Sequence, residues 1–556
     1  MIKIPIIFTF IFLGILGIKS QEYAEPLDIP LLLSGNFGEL RSNHFHSGID
    51  FKTQGKTGLP IRSVMDGYVS RVAVSPSGYG NVLYVNHPNG TTSVYAHLDR
   101  FAPAIKNFVS DQQYSQKKFK QDLSLSPEQF QIKKGDIIGY GGNTGSSGGP
   151  HLHFELRDTH TEEPFDALPF YMDKIKDSRK PEIRGIMIYP QPGEGIVNGR
   201  PEKQSIPITG NKQGKKNTTR ISAWGKIGLS VSAYDYMNGT SNIYGVKFVS
   251  LSVDDEEVFS MNMDRFSFSE TRYLNSLIDW EEWISKGSFY MKSFLDPGNL
   301  LRIYNTKNRG IIDICEERIY KFTYTLKDLH GNTTIFQFDI LGKKQEINKR
   351  KPPGTYYRHD RDNHILLNNI ELFIPKGNLY NDIYFTYSEK QNYTPYASLH
   401  NLYKRIPLHS GGSLSITLQN DTFPDKKKYG IVTIRRGRQG WIGGEYNAGK
   451  ITANIRELGN YSVTTDTIAP TITELNPSMW TKNKTLEFKI KDELSGITQW
   501  EATLGGEFIL FEYDAKKNRL FCIYDPGRMK SGNRILVLQV EDACGNRKVY
   551  EKEIHW

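Results

Sequence analysis

The sequence predicts a mainly β protein, in which one antiparallel β-sheet domain is followed by two or three β-sandwich modules. Runs of alternating apolar and polar residues recur along the chain, for example at 67–74 and 246–253, and turns rich in Gly, Pro and Asn separate them. The 556 residues include 50 Gly, 26 Pro and 12% aromatic residues, which favours sheets over helical bundles. A hydrophobic fraction of 38% suffices for real cores and excludes wholesale disorder.

Charge and cysteine content narrow the classes of partner and site. The net charge of +9 indicates an anionic partner, which composition alone leaves open among nucleic acid, envelope polymers and membrane surfaces. Three cysteines exclude a disulfide-dense scaffold and a Cys-rich zinc module. Cys522 and Cys544 can form a disulfide or remain small buried hydrophobic residues, and both interpretations stay open at this point.

The N-terminus has the form of a secretory signal peptide, with an early lysine and an apolar run from Ile4 to Ile18. An uncleaved anchor is the alternative, because the run is near the short limit for a membrane span. We expect cleavage after residues 1–20, near Ser20–Gln21, which removes two lysines and no acidic residue and lowers the net charge from +9 to +7. No later run reaches about 18 apolar residues, so no membrane span is expected after cleavage. The expected location is therefore periplasmic, cell-envelope associated or secreted.

The chain divides into successive segments after the signal peptide. An internal repeat supports this division, because an Asp-x-x-x-Pro-x-Ile opening and a later Asp-x-x-Gly-Asn turn occur in the same order twice, at 177–183 and 328–332 and again at 466–472 and 542–546. In its turns and alternation the last copy resembles bacterial immunoglobulin-like domains. We predict a first domain at 25–172 with a helical or irregular insertion at about 101–134, a β-sandwich at 175–342, a basic linker at 343–354, a β module at 355–462 and an immunoglobulin-like sandwich at 463–556.

Histidines concentrate in three clusters of the first domain, at 43–50, 95–98 and 149–155. Histidine and aspartate are suitable ligands for zinc. In the third cluster, His151 and His153 alternate along an apparent strand and therefore project from one face. Each cluster alone fits ordinary sheet residues, but all three within about 110 residues indicate a metal site.

These clusters resemble the pattern of the lysostaphin/LytM-type zinc metallopeptidases of peptidase family M23, which hydrolyse peptidoglycan. The pattern is His-x-x-x-Asp, Tyr-Ala-His-Leu and His-x-His, and the likeness covers residues 35–165, including Gly80-Asn81, 135–139 and 143–148. The resemblance implies an antiparallel LytM-type fold and a bound Zn²⁺. It also implies roles for individual residues, with His46, Asp50 and His153 as zinc ligands and His97 and His151 in catalysis. His44 does not stand four residues before Asp50, so it is expected to be structural or to support a ligand.

The residues themselves are consistent with hydrolysis. Three protein ligands leave one position open for water or a substrate carbonyl, as in catalytic zinc sites. The chain lacks a His-Glu-x-x-His motif, so the glutamate base of that protease class is missing. A histidine must then activate or orient the water, and the sequence leaves this role open between His97 and His151.

The sequence therefore predicts an exported zinc metalloendopeptidase that cleaves peptide bonds of bacterial peptidoglycan. Its expected partners are peptidoglycan peptides and other anionic envelope polymers; nucleic acid is not expected, because no recognition motif is present. Two alternatives remain: a non-catalytic or latent LytM-fold regulator of other wall hydrolases, and a wall-binding adhesive protein.

Overall fold

The computed structural model describes residues 23–206, 208, 217–347, 349 and 351–555. The predicted signal peptide at 1–20 lies outside the described residues. Strands account for 49% of the structure and helices for 9%, which confirms the mainly β prediction. Within the described ranges, no helix combines the length and apolarity needed to span a bilayer.

The first domain is built around a nine-stranded antiparallel sheet. Its main path runs β1-β4-β13-β8-β7-β6-β10, with β11 pairing with β6 and β14 with β13, and a second, three-stranded sheet has the order β5-β12-β9. The elements are β1 (Leu33–Gly35), β2 (Leu40–Arg41), β3 (His44–Phe45), β4 (Ile49–Lys52), β5 (Pro60–Arg62), β6 (Gly67–Val74), β7 (Asn81–Asn86), β8 (Thr91–Leu98), β9 (Arg100–Phe101), α1 (Pro103–Gln116), β10 (Gln121–Ser124), β11 (Gln131–Ile132), β12 (Ile137–Tyr140), β13 (His151–Asp158), β14 (Pro164–Phe165) and a 3₁₀ turn at Leu168–Tyr171.

Strand β13 lies at the centre of this sheet, between β4 and β8. Six of its eight residues are buried, because both faces of the strand are covered. Phe154 points to the core, where its ring packs against Phe51, Tyr95 and Tyr171. Alternation along the strand then directs the histidines to the opposite face, so the apolar core fixes their position.

The predicted insertion forms a helix and two short strands. α1 begins with a proline in its first turn, a position that needs no backbone N–H donor, and it ends at Lys117 in the left-handed conformation (φ 51°). Ile105 and Val109 are the apolar residues that it buries. β10 and β11 then return to pair with β6, so the insertion extends the edge of the main sheet.

The second module forms one ten-stranded sheet rather than two separate sheets, because the long strand β17 pairs with four others. One of these pairs, β17 with β24, is parallel, and the other three are antiparallel. The elements are β15 (Glu182–Val197), β16 (Gln204–Ile206), β17 (Asn217–Tyr234), β18 (Phe248–Val253), β19 (Glu256–Asn262), α2 (Leu274–Leu277), α3 (Trp280–Lys286), β20 (Met291–Lys292), β21 (Tyr304–Thr306), β22 (Ile312–Ile314), β23 (Ile319–Lys327) and β24 (Thr333–Gly342), with 3₁₀ turns at Thr271–Tyr273 and Asn308–Gly310.

The third module contains an eight-stranded sheet and a two-stranded sheet that share one apolar core. Two long strands, β30 and β34, pair along most of their length. The elements are β25 (Thr355–Tyr357), β26 (Asn363–Leu367), β27 (Ile370–Ile374), β28 (Ile383–Phe385), β29 (Tyr387–Lys390), β30 (Leu399–Thr417), β31 (Tyr429–Arg435), β32 (Arg438–Gly443), β33 (Glu445–Asn447) and β34 (Lys450–Thr465), with a 3₁₀ turn at Lys426–Lys428.

The last module is a sandwich of two four-stranded sheets, β35-β36-β40-β39 and β38-β37-β41-β42. Buried apolar residues from both sheets form its core, as in immunoglobulin-like modules. The elements are β35 (Thr471–Glu474), α4 (Trp480–Asn483), β36 (Thr485–Lys491), β37 (Ile497–Leu504), β38 (Glu507–Phe508), β39 (Glu512–Asp514), β40 (Arg519–Ile523), β41 (Asn533–Asp542) and β42 (Arg547–His555), with a 3₁₀ turn at Pro477–Met479.

The three cysteines are free, so the disulfide interpretation was wrong. Cys522 and Cys544 are buried and Cys315 is exposed. Cys522 points into the sandwich core from β40, whereas Cys544 lies in the turn after β41. Burial raises the pKa of the Cys544 thiol to about 11, so it behaves as a small apolar residue.

The four parts of the chain contact one another in a closed cycle. One buried apolar cluster runs through the first domain and the second module. Arg272 of the second module donates to the backbone oxygens of Leu408 and His409 in the third. The third module meets the last through Lys428, which donates to the backbone oxygen of Cys544 at 2.9 Å. Aromatic contacts then join the last module back to the insertion of the first domain, with Tyr114 against Phe508 and Phe119 against Trp500.

Candidate metal centre

Three side chains named from the sequence converge on one point of the main sheet. Asp50 on β4 and His153 on β13 are directly opposed in the strand pairing, and His46 reaches the same point from the turn before β4. His46 Nε2 lies 3.0 Å from Asp50 Oδ1 and 3.0 Å from His153 Nδ1, and His153 Nδ1 lies 2.8 Å from Asp50 Oδ1. Ligand atoms around tetrahedral zinc are separated by roughly 3.3 Å, so a small expansion of this triangle accommodates the ion.

In each of the two histidines, one ring nitrogen hydrogen-bonds away from the centre, and this bond directs the other ring nitrogen toward the centre. His46 Nδ1 lies 2.7 Å from the backbone oxygen of Asn36, which only accepts, so Nδ1 carries the proton. His153 Nε2 lies 2.7 Å from the carboxylate of Glu155 and donates to it. Each ring therefore presents an unprotonated nitrogen, His46 Nε2 and His153 Nδ1, when it is neutral.

The electrostatic environment of the centre favours a positive charge. Burial opposes ionisation of Asp50, but the neighbouring His46, His151 and His153 hold the pKa of its carboxyl well below its usual range. Burial also opposes protonation of His153, yet hydrogen bonds to Asp50 and Glu155 raise its pKa to about 9. His46 differs, because burial lowers its pKa to about 4. The negative charge of Asp50 is therefore the feature of this centre that favours a metal cation.

Glu155 anchors a buried network that sequence reasoning missed. The residue is fully buried and accepts from Ser47 and Tyr79, each at 2.6 Å, and from Arg157. The arginine offsets the cost of burying this carboxylate and holds its pKa below the usual range. The signal was present in the sequence, because Glu155 and Arg157 follow His153 at the two-residue period of one strand face.

Arg41 also contacts the ligands, and sequence reasoning missed it as well. Its Nη2 donates to Asp50 Oδ2 at 2.7 Å, which leaves Oδ1 turned toward the two histidines. Glu39 lies close by, and burial raises the pKa of its carboxyl to about 7. His44 makes a hydrogen bond to the backbone oxygen of Ser42 and lies outside the ligand triangle.

His97 and His151 flank the triangle, with their ring centroids 4.9 Å apart. His97 has a left-handed backbone (φ 60°), and its Nδ1 donates to the backbone oxygen of Thr144 at 2.9 Å. His151 Nδ1 donates to the backbone oxygen of Gly149 at 2.8 Å. Burial, followed by the neighbouring His153 and His151, lowers the pKa of His97 to about 3. In both rings Nε2 therefore points away from the loop, and that of His151 lies 3.5 Å from Asp50 Oδ1.

Two tyrosines near the centre, Tyr79 and Tyr95, are both packed against other residues. Tyr79 donates to Glu155 and closes the buried network. Tyr95 is fully buried, and its hydroxyl accepts from the backbone N–H of Val64 at 2.9 Å. Tyr95 thus lies in the core of the sheet, whereas Tyr79 helps to hold Glu155, the hydrogen-bond partner of His153.

A groove of about 530 Å³ opens over the centre. One wall is the loop at 146–151, and Arg41, Asp50, Lys52 and His97 contribute to the lining. Glycine is required beneath this wall: a side chain at Gly145 (φ 67°) would meet the backbone nitrogen of Gly80 at 2.3 Å. The backbones at Gly80 and Gly145 pack closely against each other, and this packing explains why both residues are glycine better than contact with substrate does.

The last module contacts both the insertion and the loop that lines this groove. Arg528 of the last module pairs with Asp111 on α1. Lys516 donates to the backbone oxygen of Ser147 at 3.1 Å and also to that of Asn143. The insertion therefore supports the last module, and that module contacts the active-site loop.

Comparison with known proteins agrees with this geometry. The sequence profile of peptidase family M23 matches residues 44–115 and 111–167, and that of a Zu5-like domain matches residues 354–466. The first domain is thus a LytM-type peptidase domain. The M23 match is confined to this first domain and leaves the rest of the chain uncovered.

Curated relatives match this same region. The DD-carboxypeptidase/endopeptidase Mpg of Neisseria meningitidis serogroup B is 32% identical over 144 residues, which are 25% of this chain and 27% of the relative. The peptidoglycan DD-endopeptidase ShyB of Vibrio cholerae is 31% identical over 123 residues, 22% of each chain. The chain therefore spans about a quarter of the length of the curated relatives it matches. Among solved structures, the catalytic domain of the M23 protein EnpA from Enterococcus faecalis is 26% identical, with 23% of this chain and 82% of that chain covered and a TM-score of 0.17.

Proposed function

We propose that this protein is an exported, zinc-dependent metalloendopeptidase that cleaves peptide bonds of bacterial peptidoglycan. The observation that carries the proposal is the convergence of His46 Nε2, Asp50 Oδ1 and His153 Nδ1 within 3.0 Å of one another. The substrate class is supported by the names of the two relatives, one a DD-carboxypeptidase/endopeptidase and the other a peptidoglycan DD-endopeptidase.

The residues present fit a zinc ion. Two imidazole nitrogens and one carboxylate oxygen form a donor set that zinc prefers. Hydrogen bonds fix the tautomers of His46 and His153, as they do in zinc sites generally. A zinc ion bound there supplies Lewis-acid activation of the reacting groups.

His97 and His151 are the groups of this chain that move protons in the proposed reaction. Each is oriented through Nδ1 by a backbone oxygen, so each presents Nε2 to the groove. A neutral Nε2 accepts the proton of an attacking water, and a protonated one donates to the developing oxyanion or to the leaving amine. Because both rings are held by the same loop, at Thr144 and Gly149, the position of this loop controls both of them.

Several features support export to the cell envelope. Residues 1–20 have the form of a signal peptide, and the net charge after its removal is +7, which favours attraction to anionic envelope polymers. The non-catalytic alternative has less support, because the three ligand residues and both flanking histidines lie together in this chain.

The proposal is tested by digestion of purified peptidoglycan with the protein lacking residues 1–20, followed by mass spectrometry of the muropeptides. We expect new peptide termini that disappear after chelation and return with added Zn²⁺. His153→Ala should abolish them. His44→Ala is the matched control, since this histidine lies outside the ligand triangle, and it should retain activity. Activity that survives both chelation and His153→Ala would contradict a zinc mechanism.

A further inference from the structure

A second cluster of possible ligands lies at one end of the sheet of the second module. Asp177, Asp235 and Asp328 each offer a carboxylate oxygen, and these oxygens lie within 4.8 Å of one another. Asp235 follows β17, Asp328 follows β23, and Asp177 lies in the connection between the first domain and β15. Only 2% of Asp235 and 7% of Asp328 is exposed to solvent. Two buried carboxylates and one half-buried carboxylate, from distant parts of the chain, therefore lie together.

Negative charge in this cluster lacks compensation. Oδ1 of Asp235 and Oδ2 of Asp177 are buried and have no hydrogen-bond partner among the described residues. None of the three carboxylates forms an ion pair with a Lys or Arg in the described ranges. Burial, followed by the charges of Asp328 and Asp177, raises the pKa of Asp235 to about 8. A buried carboxylate without a partner is costly, so a missing cation is a natural explanation.

The internal repeat supplies a comparison within the same chain. Asp466, Asp492 and Asp542 form the equivalent cluster in the last module. The shared framework is the Asp-x-x-Gly-Asn turn. Asn332 donates through its backbone and side chain to Asp328 at 2.8 and 2.7 Å, and Asn546 donates in the same way to Asp542 at 2.9 and 2.7 Å.

The two clusters differ at the central aspartate. In the last module, Asp492 Oδ2 accepts from the backbone N–H groups of Leu494 at 3.1 Å and Gly496 at 2.7 Å, and Asp466 Oδ2 accepts from that of Ser495 at 2.9 Å. The tight turn after Asp492 brings these donors back to the carboxylates. The segment after Asp235 is longer and supplies no donor to Oδ1. Backbone N–H groups also reach the cluster of the second module, where that of Arg179 donates to Asp177 Oδ1 at 2.9 Å. Asp177 Oδ2 and Asp235 Oδ1 nevertheless have no partner among the described residues, and these two oxygens are open to a cation.

We propose that Asp177, Asp235 and Asp328 bind one Ca²⁺ ion, and that the equivalent cluster of the last module does not. Oxygen-only ligands favour a hard cation over zinc. Calcium accepts irregular geometry and carboxylates in several binding modes, whereas magnesium requires a near-ideal octahedron. The ion tethers the connection at Asp177, which is also held by a 2.7 Å hydrogen bond from His330 to the backbone oxygen of Ile175. Calcium therefore stiffens the junction between the first domain and the second module.

The test uses the full chain without residues 1–20, loaded with zinc and titrated with Ca²⁺ alone by calorimetry. We expect one Ca²⁺ per chain, and Tb³⁺ luminescence sensitised by the adjacent Tyr236 should report the same site. Asp235→Asn should weaken Ca²⁺ binding at least tenfold. Asp492→Asn, the matched change in the last module, should leave it unchanged. His153→Ala should also leave it unchanged, which separates this site from the zinc centre.

Thermal unfolding distinguishes a ligand role from a structural one. Calcium should raise the Tm of the wild-type protein and of Asp492→Asn, but not that of Asp235→Asn. In calcium-free buffer, Asp235→Asn should be at least as stable as the wild type, because the amide replaces a buried carboxyl whose ionisation is already unfavourable. No Ca²⁺ binding at millimolar concentration, equal binding by Mg²⁺, or equal loss in both Asn variants would overturn the proposal.

Discussion

Lys516 in the last module donates a hydrogen bond to the backbone oxygen of Ser147, 369 residues earlier in the chain. The hydroxyl of Ser147 in turn lies 3.2 Å from Nδ1 of His151. The last module is thereby connected, through the single residue Ser147, to a histidine that we propose as a proton-transfer group. The position of the loop that orients His151 thus depends on contacts made by the far end of the chain.

Lys516→Ala should loosen this loop. The substitution removes hydrogen bonds to two backbone oxygens, worth about 1–2 kcal/mol together. Hydrogen exchange at 143–149 should become faster and the rate of wall hydrolysis should change, with zinc content unaffected. Lys517→Ala is the control, because that lysine contacts only Asp514, at 4.0 Å, in the same module. Equal exchange in both variants would show that the contact does not hold the loop.

Glu155→Gln should weaken metal binding. The amide keeps the shape of the carboxylate but removes the charge that polarises His153, and loss of such a partner typically costs 10- to 100-fold in metal affinity. Competition with a chromogenic chelator measures this affinity. Glu162→Gln is the control, since Glu162 pairs with the same Arg157 at 3.2 Å but is exposed. If both variants bind zinc like the wild type, the network does not tune the ligand.

His97→Ala and His151→Ala should separate catalysis from metal binding. Neither side chain belongs to the ligand triangle, so both variants should retain one zinc per chain by elemental analysis. Their kcat should fall by about 10²- to 10⁴-fold, the usual contribution of a proton-transfer group. His153→Ala should instead lose the metal. If the His97 or the His151 variant loses zinc, the substituted histidine is itself a ligand, which would contradict this prediction.

Stability should decline as pH rises toward neutrality because of Glu512. Burial raises the pKa of this carboxyl from 4.5 to about 7 at the contact of the last module with the first domain, where Lys106 and Asp99 face it. The folded state thus holds a proton that the unfolded chain releases. The stabilising contribution is full below pH 4.5 and is lost as pH rises through about 7.

Comparison of Tm at pH 5 and pH 8 measures this effect. The decrease should be smaller in Glu512→Gln, which cannot ionise, than in the wild type. Glu501→Gln, a change at an exposed glutamate of the same module, should follow the wild-type profile. A Glu512→Gln variant with the wild-type pH dependence would show that another group is responsible.

The metal centre was largely predictable because its members lie in short motifs. His46 and Asp50 are four residues apart, and His151 and His153 alternate on one strand, so the resemblance to the LytM-type pattern was enough to name them. The supporting residues were harder to find. Glu155 continues the same strand period, but Arg41 and Tyr79 reach the site only through the tertiary fold.

In the fold, too, local sequence predicted the individual strands but not which distant strands pair with each other. Alternating residues indicated the strands and turns, and β13 follows this pattern closely. The parallel pairing of β17 with β24 was not predicted, because alternation specifies the faces of a strand and not its neighbours. The cysteines illustrate a similar limit, since sequence proximity made a disulfide between Cys522 and Cys544 plausible while their separate burial excludes it.

The cyclic arrangement of the four parts has a thermodynamic consequence. Once three of the interfaces have formed, they hold the two surfaces of the fourth close together, which gives these surfaces a high effective concentration. An interface with few contacts, such as that of Phe119 with Trp500, can therefore stay formed. Conversely, weakening any one interface lowers the effective concentration at the others. A substitution at the interface between the second and third modules should therefore make the loop beside His151 more mobile.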